Sequence, residues 1–372
     1  MGKRRSRGFI NLSLSFIFNL QNFIMEIIAN KIYEIIKDYR NDDGIFLTEN
    51  DILLWAKQFG EDAEFMLNEI HHILPQVYIS KQKAKQLLNK HIRKLISDYR
   101  YNHHTEFLMD TEFIDIQQNF KSQKAILDLI NEVLLEQFGE TYKTYLTYPK
   151  KNFAYFDDIL ATGGTIGKDL INWLRLTDLQ GIENFKKIEN NTYRLSINLF
   201  AVHVWGKEMQ RFRIKKEFDD VISKNIKWYW DIEIQNHLKF DKQTLNIAIP
   251  TEEQPRNIKL YLASLTALKY EDYAYRKLNK PINEVFFTSS INRIRYENIL
   301  LQKGLEIINM IKGEIKPNIR PLGLINPNYK TYGLGTHFFT WRNIPNNSPL
   351  VFWWQVFGHQ WKPLFPVANR GN

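Results

Sequence analysis

The chain has no cysteine among its 372 residues. This absence excludes disulfides, thiolate catalysis and cysteine-ligated metal, and it is compatible with a reducing cytoplasm. A long apolar run is also missing, because the segment from Phe9 to Phe18 is too short and too often interrupted by polar residues to span a membrane. No small-residue cleavage site follows that segment. We therefore expect a cytoplasmic protein with no membrane partner.

The first 24 residues differ in character from the rest of the sequence. They combine the basic start Lys3-Arg4-Arg5 with the short apolar segment. The simplest interpretation is that Met25 is the natural start and that residues 1–24 are a translated upstream region, non-native or disordered. We therefore leave residues 1–24 out of the fold prediction.

The residue types that are present indicate a folded protein with an anionic ligand. Hydrophobic residues make up 44% of the chain and aromatic residues 14%, which is enough for one large or two medium domains with substantial cores. The formal net charge of +9 favours phosphorylated or polyanionic partners, nucleic acid among them. Part of that charge lies in the basic start, so it says little about the folded surface.

Residues 25–101 show the periodicity of α-helices. Apolar residues recur at helical spacing from Ile28 to Ile36, and Thr48 and Asp51 have the spacing of a capping box. A further amphipathic stretch begins after Ser80. We predict a small helical module over residues 25–101.

The most informative segment runs from Phe153 to Thr165. Four apolar residues, typical of a strand buried on both faces of a parallel sheet, precede Asp157 and Asp158, which we call the acid pair. Residues 161–165 follow as a short turn rich in glycine and hydroxyl groups, which we call the phosphate turn. Its N–H groups, its hydroxyls and the dipole of the helix predicted next would suit a phosphate. Because open α/β sheets bind ligands at the carboxyl ends of their strands, we interpret the segment as a site for a phosphorylated ribose.

Two other interpretations of this segment stay open. A Walker-type P-loop would need glycine at position 162 and serine or threonine at position 169, where the chain has Thr162 and Asp169. Such a loop also has no use for two adjacent carboxylates ahead of the phosphates. The second alternative is an ordinary buried strand followed by an aspartate-capped turn and a helix.

The segments around the acid pair alternate between strands and helices. We predict strands over residues 107–116, 195–205, 226–234 and 285–287, and helices over residues 125–138, 207–221 and 260–277. This order predicts an α/β fold with a Rossmann-like parallel sheet. We assign residues 102–372 to that domain and its C-terminal extension.

The apolar strand, the acid pair and the phosphate turn together resemble the ribose-phosphate motif of the type I phosphoribosyltransferases. The resemblance implies that the acid pair is catalytic and holds the ribose 2′ and 3′ hydroxyls of phosphoribosyl pyrophosphate, while the phosphate turn holds the 5′-phosphate. The residues of the phosphate turn are Ala161, Thr162, Gly163, Gly164 and Thr165. A loop upstream of the acid-pair strand binds pyrophosphate in that family, which makes Lys121 and Ser122 candidates. The resemblance also implies Mg²⁺ bridging the substrate oxygens, and we predict no metal site built by the protein alone.

The last third of the chain carries a second resemblance. The helix after Arg293 and the segments 342–350 and 361–366 look like the predicted phosphoribosyltransferase-like proteins of prokaryotic conflict systems, the PRTase-CE family. This resemblance spans roughly residues 100–366 and implies a role in anti-phage defence, with a partner protein of the defence system. The residues that would contact pyrophosphate or a base are Arg293, Arg295, Arg342 and Asn346.

The expected reaction is glycosyl transfer at the anomeric carbon of phosphoribosyl pyrophosphate or a related nucleotide. The chain departs from the salvage enzymes because it has no convincing pyrophosphate-loop sequence and no recognisable flexible catalytic loop. A second hypothesis is therefore a non-catalytic sensor that binds a phosphoribosyl metabolite or nucleotide and signals to a partner protein. A third is nucleic-acid binding. The basic residues of segment 211–216 fit a nucleic-acid contact, a wall of the anion site or a charged outer helix face.

Overall fold

The computed structural model describes residues 6–116, 122–237, 243–266, 273–356 and 358–367, and of residues 6–19, 122 and 165 it describes only the backbone. Within these residues, no helix combines the length and the apolar character that crossing a membrane requires.

Helices and short strands alternate along the described chain. The helices are α1 (Ser6–Ile36), α2 (Glu49–Lys57), α3 (Ala63–Val77), α4 (Lys81–Asp98), α5 (His104–Asp110), α6 (Ser122–Phe138), α7 (Gly164–Leu174), α8 (Asn184–Glu189), α9 (Val204–Glu217), α10 (Asp220–Asn225), α11 (Arg256–Ser264), α12 (Ser290–Asn309) and α13 (Leu350–Trp353). The strands are β1 (Tyr78–Ile79), β2 (Thr111–Phe113), β3 (Asn152–Leu160), β4 (Arg194–His203), β5 (Lys227–Ile234) and β6 (Phe339–Thr340).

The chain forms two compact units. The sheet unit comprises Lys81–Phe240, and the terminal unit comprises Met1–Ser80 and Asp241–Asn372. This division differs from the predicted one, which placed a boundary at residue 101. Helix α4, predicted as part of the helical module, lies in the sheet unit because it packs against α6 and β4.

Four parallel strands in the order β2-β3-β4-β5 form the centre of the sheet unit. Phe153 of β3 lies beside Leu195 of β4, and Leu199 of β4 lies beside Trp230 of β5. Every residue of β3 except Ile159 is buried, which fits a strand covered on both faces. The predicted α/β class with a parallel, Rossmann-like sheet is confirmed.

Helices cover both faces of this sheet. Because side chains alternate along a strand, Phe153 and Tyr155 share one face, where they form a core with apolar residues of α7, α8, α9 and α10. Phe156 points to the opposite face, and its ring centroid lies 6.2 Å from that of His91 on α4. The same alternation directs Asp157 toward the first helix layer and Asp158 toward the second.

A buried ion pair ties α4 to β5. His91 Nε2 lies 2.7 Å from Asp231 Oδ2, and Lys90 Nζ lies 2.6 Å from Asp231 Oδ1. Burial raises the pKa of Asp231, but the hydrogen bonds from His91 and Lys90 outweigh burial and hold the pKa of Asp231 below its usual range. The folded sheet unit therefore favours the ionised carboxylate.

We expect Asp231→Asn to lower the free energy of unfolding at pH 7 by about 1 to 3 kcal/mol, because it leaves the buried His91 ring without a charged acceptor. Since folding depresses the pKa of Asp231, this contribution is present above the unfolded value of about 3.9 and is lost as the pH falls through the folded value. Urea unfolding at pH 7, 5 and 3.5 should show that the difference in free energy of unfolding between wild type and variant becomes smaller as the pH falls. Asp115→Asn, at an exposed pair with Lys124, serves as control, and a gap that does not narrow would contradict the prediction.

Helices α1, α2 and α3 confirm the helical character predicted for this part of the chain, and they share the terminal unit with residues from its other end. The predicted capping box is present, since Thr48 N–H donates to Asp51 Oδ2 at 2.9 Å and Asp51 N–H donates to Thr48 Oγ1 at 3.2 Å. Strand β1 pairs in parallel with β6. The Trp55 indole donates to the Val351 carbonyl at 3.0 Å, so the core of this unit joins segments that are distant in sequence.

Three predicted segments were wrong in part or in whole. Residues 104–110 form helix α5, so the strand predicted over 107–116 shrinks to Thr111–Phe113. The segment 285–287 is not a strand, because the Glu284 carboxylate accepts hydrogen bonds from the next backbone N–H groups and closes a turn. The helix predicted over 260–277 ends at Ser264, and residues 267–272 lie outside the described residues.

Candidate functional site

The acid pair lies near the carboxyl end of β3 and is buried. Asp157 is 5% exposed and Asp158 is 4% exposed. The Tyr155 hydroxyl donates to Asp157 Oδ2 at 3.1 Å, and the Asp158 N–H donates to Asp157 Oδ1 at 2.9 Å. The Ile159 N–H donates to Asp158 Oδ1 at 2.8 Å. Local hydrogen bonds therefore fix the orientation of both carboxylates.

The phosphate turn connects β3 directly to α7. Gly163 has φ of +72°, in the left-handed region that favours glycine, and it occupies the N-cap position of α7. The first helical hydrogen bond runs from the Gly167 N–H to the Gly163 carbonyl at 2.8 Å. Because the first N–H groups of an α-helix lack intrahelical acceptors, the start of α7 suits an anion.

Helix α9 packs against the phosphate turn. A Cβ atom on Gly206 would overlap the Ala161 carbonyl oxygen, so only glycine lets α9 approach this closely. One helical turn later, the Gln210 amide donates to the Thr162 carbonyl at 3.3 Å, and a side chain at Gly163 would overlap Gln210. Gln210 is 5% exposed, and in the described part of the chain its Oε1 has no hydrogen-bond donor.

The electrostatics of this edge combine two carboxylates with a helix N-terminus. His203, the last residue of the neighbouring strand β4, adds no positive charge at neutral pH, because burial lowers the pKa of its imidazole to about 3. Among the described residues, no group of three or more His, Cys, Asp or Glu side chains could hold a metal ion. The arrangement can bind an anion at the turn and hydroxyl donors at the carboxylates.

A comparison with protein families identifies the chain. The family model described as PRTase-CE matches residues 52–367. The chain belongs to the PRTase-CE family. No curated protein and no solved structure matches it. Family membership makes the chain phosphoribosyltransferase-like, and the matched range contains residues 157–165.

Three predicted ligand contacts of this PRTase-CE member have no described side chain. Lys121 lies outside the described residues. Ser122 is the first residue of α6, and Thr165 lies in the first turn of α7, but only their backbone is described. Their proposed roles stay predictions.

Arg293, a predicted ligand contact, lies in the terminal unit within a buried ion network. Its guanidinium pairs with Glu284, contacts Glu297 Oε1 at 3.2 Å and donates to the Ile247 carbonyl at 2.9 Å. Arg276 Nη2 lies 2.7 Å from Glu297 Oε2. Burial raises the pKa of Glu297, and the guanidinium groups of Arg293 and Arg276 oppose that rise. These contacts assign Arg293 a structural role.

The other predicted contacts in the terminal unit also have partners there. Arg295 pairs with Asp62 at 2.6 Å on the surface, and Arg342 pairs with Asp43. Asn346 is exposed, and its carbonyl accepts a hydrogen bond from the Leu324 N–H at 2.8 Å. Ion pairing therefore accounts for these two arginines without a ligand.

The sequence analysis considered α9 as a wall of the anion site through its basic residues, but it missed the contacts of Gly206 and Gln210 with the phosphate turn. Gly206 and Gln210 lie more than forty residues after the turn that they contact. A glycine near the start of a helix, followed four residues later by a polar side chain on the same face, was the available signal. Nothing in the sequence alone indicated which segment that face contacts.

Proposed function

We propose that the chain binds phosphoribosyl pyrophosphate, or a related nucleotide, at the acid pair and phosphate turn, and that it acts in prokaryotic anti-phage defence. The observation that carries the proposal is the continuous path from two buried carboxylates through a left-handed glycine to a helix N-terminus. The carboxylates would accept hydrogen bonds from the ribose hydroxyls. The turn would hold the 5′-phosphate.

The proposed reaction is transfer of the phosphoribosyl group. The bond from C1′ to the pyrophosphate oxygen breaks, the electron pair leaves with pyrophosphate, and an acceptor forms a new bond at C1′. Positioning of the sugar by Asp157 and Asp158 supplies part of the catalysis. Mg²⁺ fits this site as a cation that arrives with the diphosphate and keeps waters, because the acid pair offers the carboxylate oxygens that it prefers. When bound, it would neutralise charge on the leaving pyrophosphate.

A sensor without catalytic activity is the second candidate. The observation that favours it is the ion pairing of Arg293, Arg295 and Arg342 within the terminal unit. Each of these predicted leaving-group contacts already has a carboxylate partner. In the sensor, ligand binding at the acid pair would signal to a partner protein without release of pyrophosphate.

We expect the double variant Asp157→Asn and Asp158→Asn to lose at least about a hundredfold in affinity for phosphoribosyl pyrophosphate. Hydrogen bonds to charged groups contribute about 1.5 to 3 kcal/mol each, and 1.4 kcal/mol is tenfold in affinity. Asparagine keeps an oxygen that can accept the N–H groups of Asp158 and Ile159, so the fold should persist. Isothermal titration with phosphoribosyl pyrophosphate, with and without Mg²⁺, measures the loss.

A control variant, a second ligand and a second assay accompany this titration. Asp220→Asn, an exposed aspartate on α10, is the matched control and should bind like wild type. Ribose 5-phosphate tests the turn and the acid pair without the diphosphate. Pyrophosphate release, assayed in the same samples, separates transferase from sensor. Wild-type affinity in the double variant would remove the central claim.

A further inference from the structure

Helix α9 has two chemically different faces. Residues of a helix are rotated by about 100° per position, so Gly206, Gln210 and Ile214 share one face. That face is buried and contacts the phosphate turn through Gly206 and Gln210. Phe212 lies on the opposite side and is 61% exposed, and Met209, one turn earlier, is 40% exposed. Phe212 and Met209 therefore point away from the phosphate turn.

Unneutralised positive charge surrounds this exposed ring. Arg211 and Arg213 flank Phe212 in sequence and project to either side of it, and Lys216 follows one turn later; all three are exposed. Arg213 lies on the side nearer α7, where a Cβ atom on Gly167 would be 3.2 Å from Arg213 Nη1. Within the described residues, none of the three has a carboxylate partner. By contrast, Lys215 of the same helix lies 2.8 Å from Asp220. We call Met209, Phe212 and these three cations the α9 face.

We infer that the α9 face binds single-stranded nucleic acid. Arginine donates in a planar fork that matches phosphate oxygens, so cations on both sides of the helix can hold a sugar-phosphate backbone. Phe212 offers a ring on which an unpaired base can stack, a contact that a double helix would deny it. The combination of an exposed ring and flanking guanidinium groups favours this ligand over a purely acidic one.

The test is fluorescence anisotropy with a labelled 20-nucleotide oligothymidylate, an oligouridylate of the same length and an abasic strand of the same length. On a log–log plot of affinity against salt concentration, the slope for single strands is about −0.7 per neutralised phosphate, so three cations predict a slope of about −2. The variant Arg211→Gln, Arg213→Gln, Lys216→Gln should flatten this slope to near zero.

Phe212→Ala should weaken binding of the oligonucleotides about fivefold to 150-fold without changing the salt slope, because base stacking on an aromatic side chain contributes about 1 to 3 kcal/mol. The abasic strand should bind wild type and Phe212→Ala equally. Phe46→Ala removes another strongly exposed phenylalanine, 72% exposed, and should have no effect. Removing three exposed lysines of the terminal unit, by Lys31→Gln, Lys57→Gln and Lys259→Gln, controls for net charge.

The outcomes separate clearly. Loss of binding in the terminal-unit lysine variant equal to that in the α9 variant would overturn the inference, since only net charge would matter. Wild type that binds polyglutamate as tightly as the oligonucleotides would overturn it in favour of an acidic protein partner. Absence of oligonucleotide binding at about 20 mM salt would also overturn it. The double variant of the acid pair should bind oligonucleotides like wild type, so this result does not depend on the proposed phosphoribosyl site.

Discussion

Glu297→Gln should lower the free energy of unfolding of the terminal unit by about 3 to 5 kcal/mol, the cost typical of breaking a buried ion pair from one side. Arg276 and Arg293 both contact this carboxylate, and all three side chains are at most 3% exposed. Glutamine keeps the shape and can still accept the Ile249 N–H, which donates to Glu297 Oε1 at 3.1 Å. The loss therefore reports the missing charge rather than a cavity.

Differential scanning calorimetry measures this effect as a shift in the melting temperature of the terminal unit. For a unit of this size, about 3 to 5 kcal/mol corresponds to a drop of roughly 10 °C. Arg295→Gln on the same helix is the matched control, because its pair with Asp62 is half exposed and should contribute less than about 1 kcal/mol. Equal shifts in the two variants would mean that the buried network has no special weight.

Gly206→Ala should weaken ligand binding at the phosphate turn more than any other substitution that adds one methyl group to α9. The new Cβ would overlap the Ala161 carbonyl and lie 2.9 Å from Leu160 Cδ2. A backbone oxygen cannot rotate away, so α9 or the turn must move. Overpacking costs about 1 to 3 kcal/mol, which exceeds the gain of up to about 1 kcal/mol from replacing a helical glycine. We expect at least a tenfold loss of affinity for ribose 5-phosphate.

Isothermal titration with ribose 5-phosphate and a thermal melt of the same variant check this expectation. Glu208→Ala changes an exposed position two residues further along α9 and should alter neither affinity nor melting temperature. If Gly206→Ala bound ribose 5-phosphate like wild type, α9 would not control the geometry of the turn. The ligand measurement therefore tests whether α9 holds the phosphate turn in its binding geometry, and the thermal melt tests the stability of the fold.

The sequence could predict the part of the site that is contiguous. The apolar run before Asp157, the acid pair and the glycine turn before α7 depend on neighbours within a few residues, and their positions are as predicted. The support from Gln210 depends on how two helices pack, and no local pattern encodes that partner. The role of the acid pair toward a ligand stays a prediction.

The ion-pair partners of Arg293 could not be predicted from the sequence either. A run of basic residues on a helix has the same pattern whether it faces solvent, a ligand or a buried carboxylate. Only the approach of Glu284 and Arg276, from segments before α12, shows that Arg293 belongs to a core network. The strand predicted over 285–287 was wrong for a related reason, because a short apolar run lacks the length that separates a strand from a buried turn.

The terminal unit contains residues from both ends of the chain, and this affects the order in which the two units can fold during translation. The sheet unit is one continuous stretch, Lys81–Phe240, whereas the terminal unit needs residues on both sides of it. Strand β1 cannot pair until β6 has been made. Tyr78 of β1 pairs with Phe339 of β6, and the whole sheet unit lies between them in sequence. Domains generally fold as units during translation. Helices α1, α2 and α3 therefore leave the ribosome before the C-terminal segments with which they share a core, and the sheet unit can complete its own core before those segments are made.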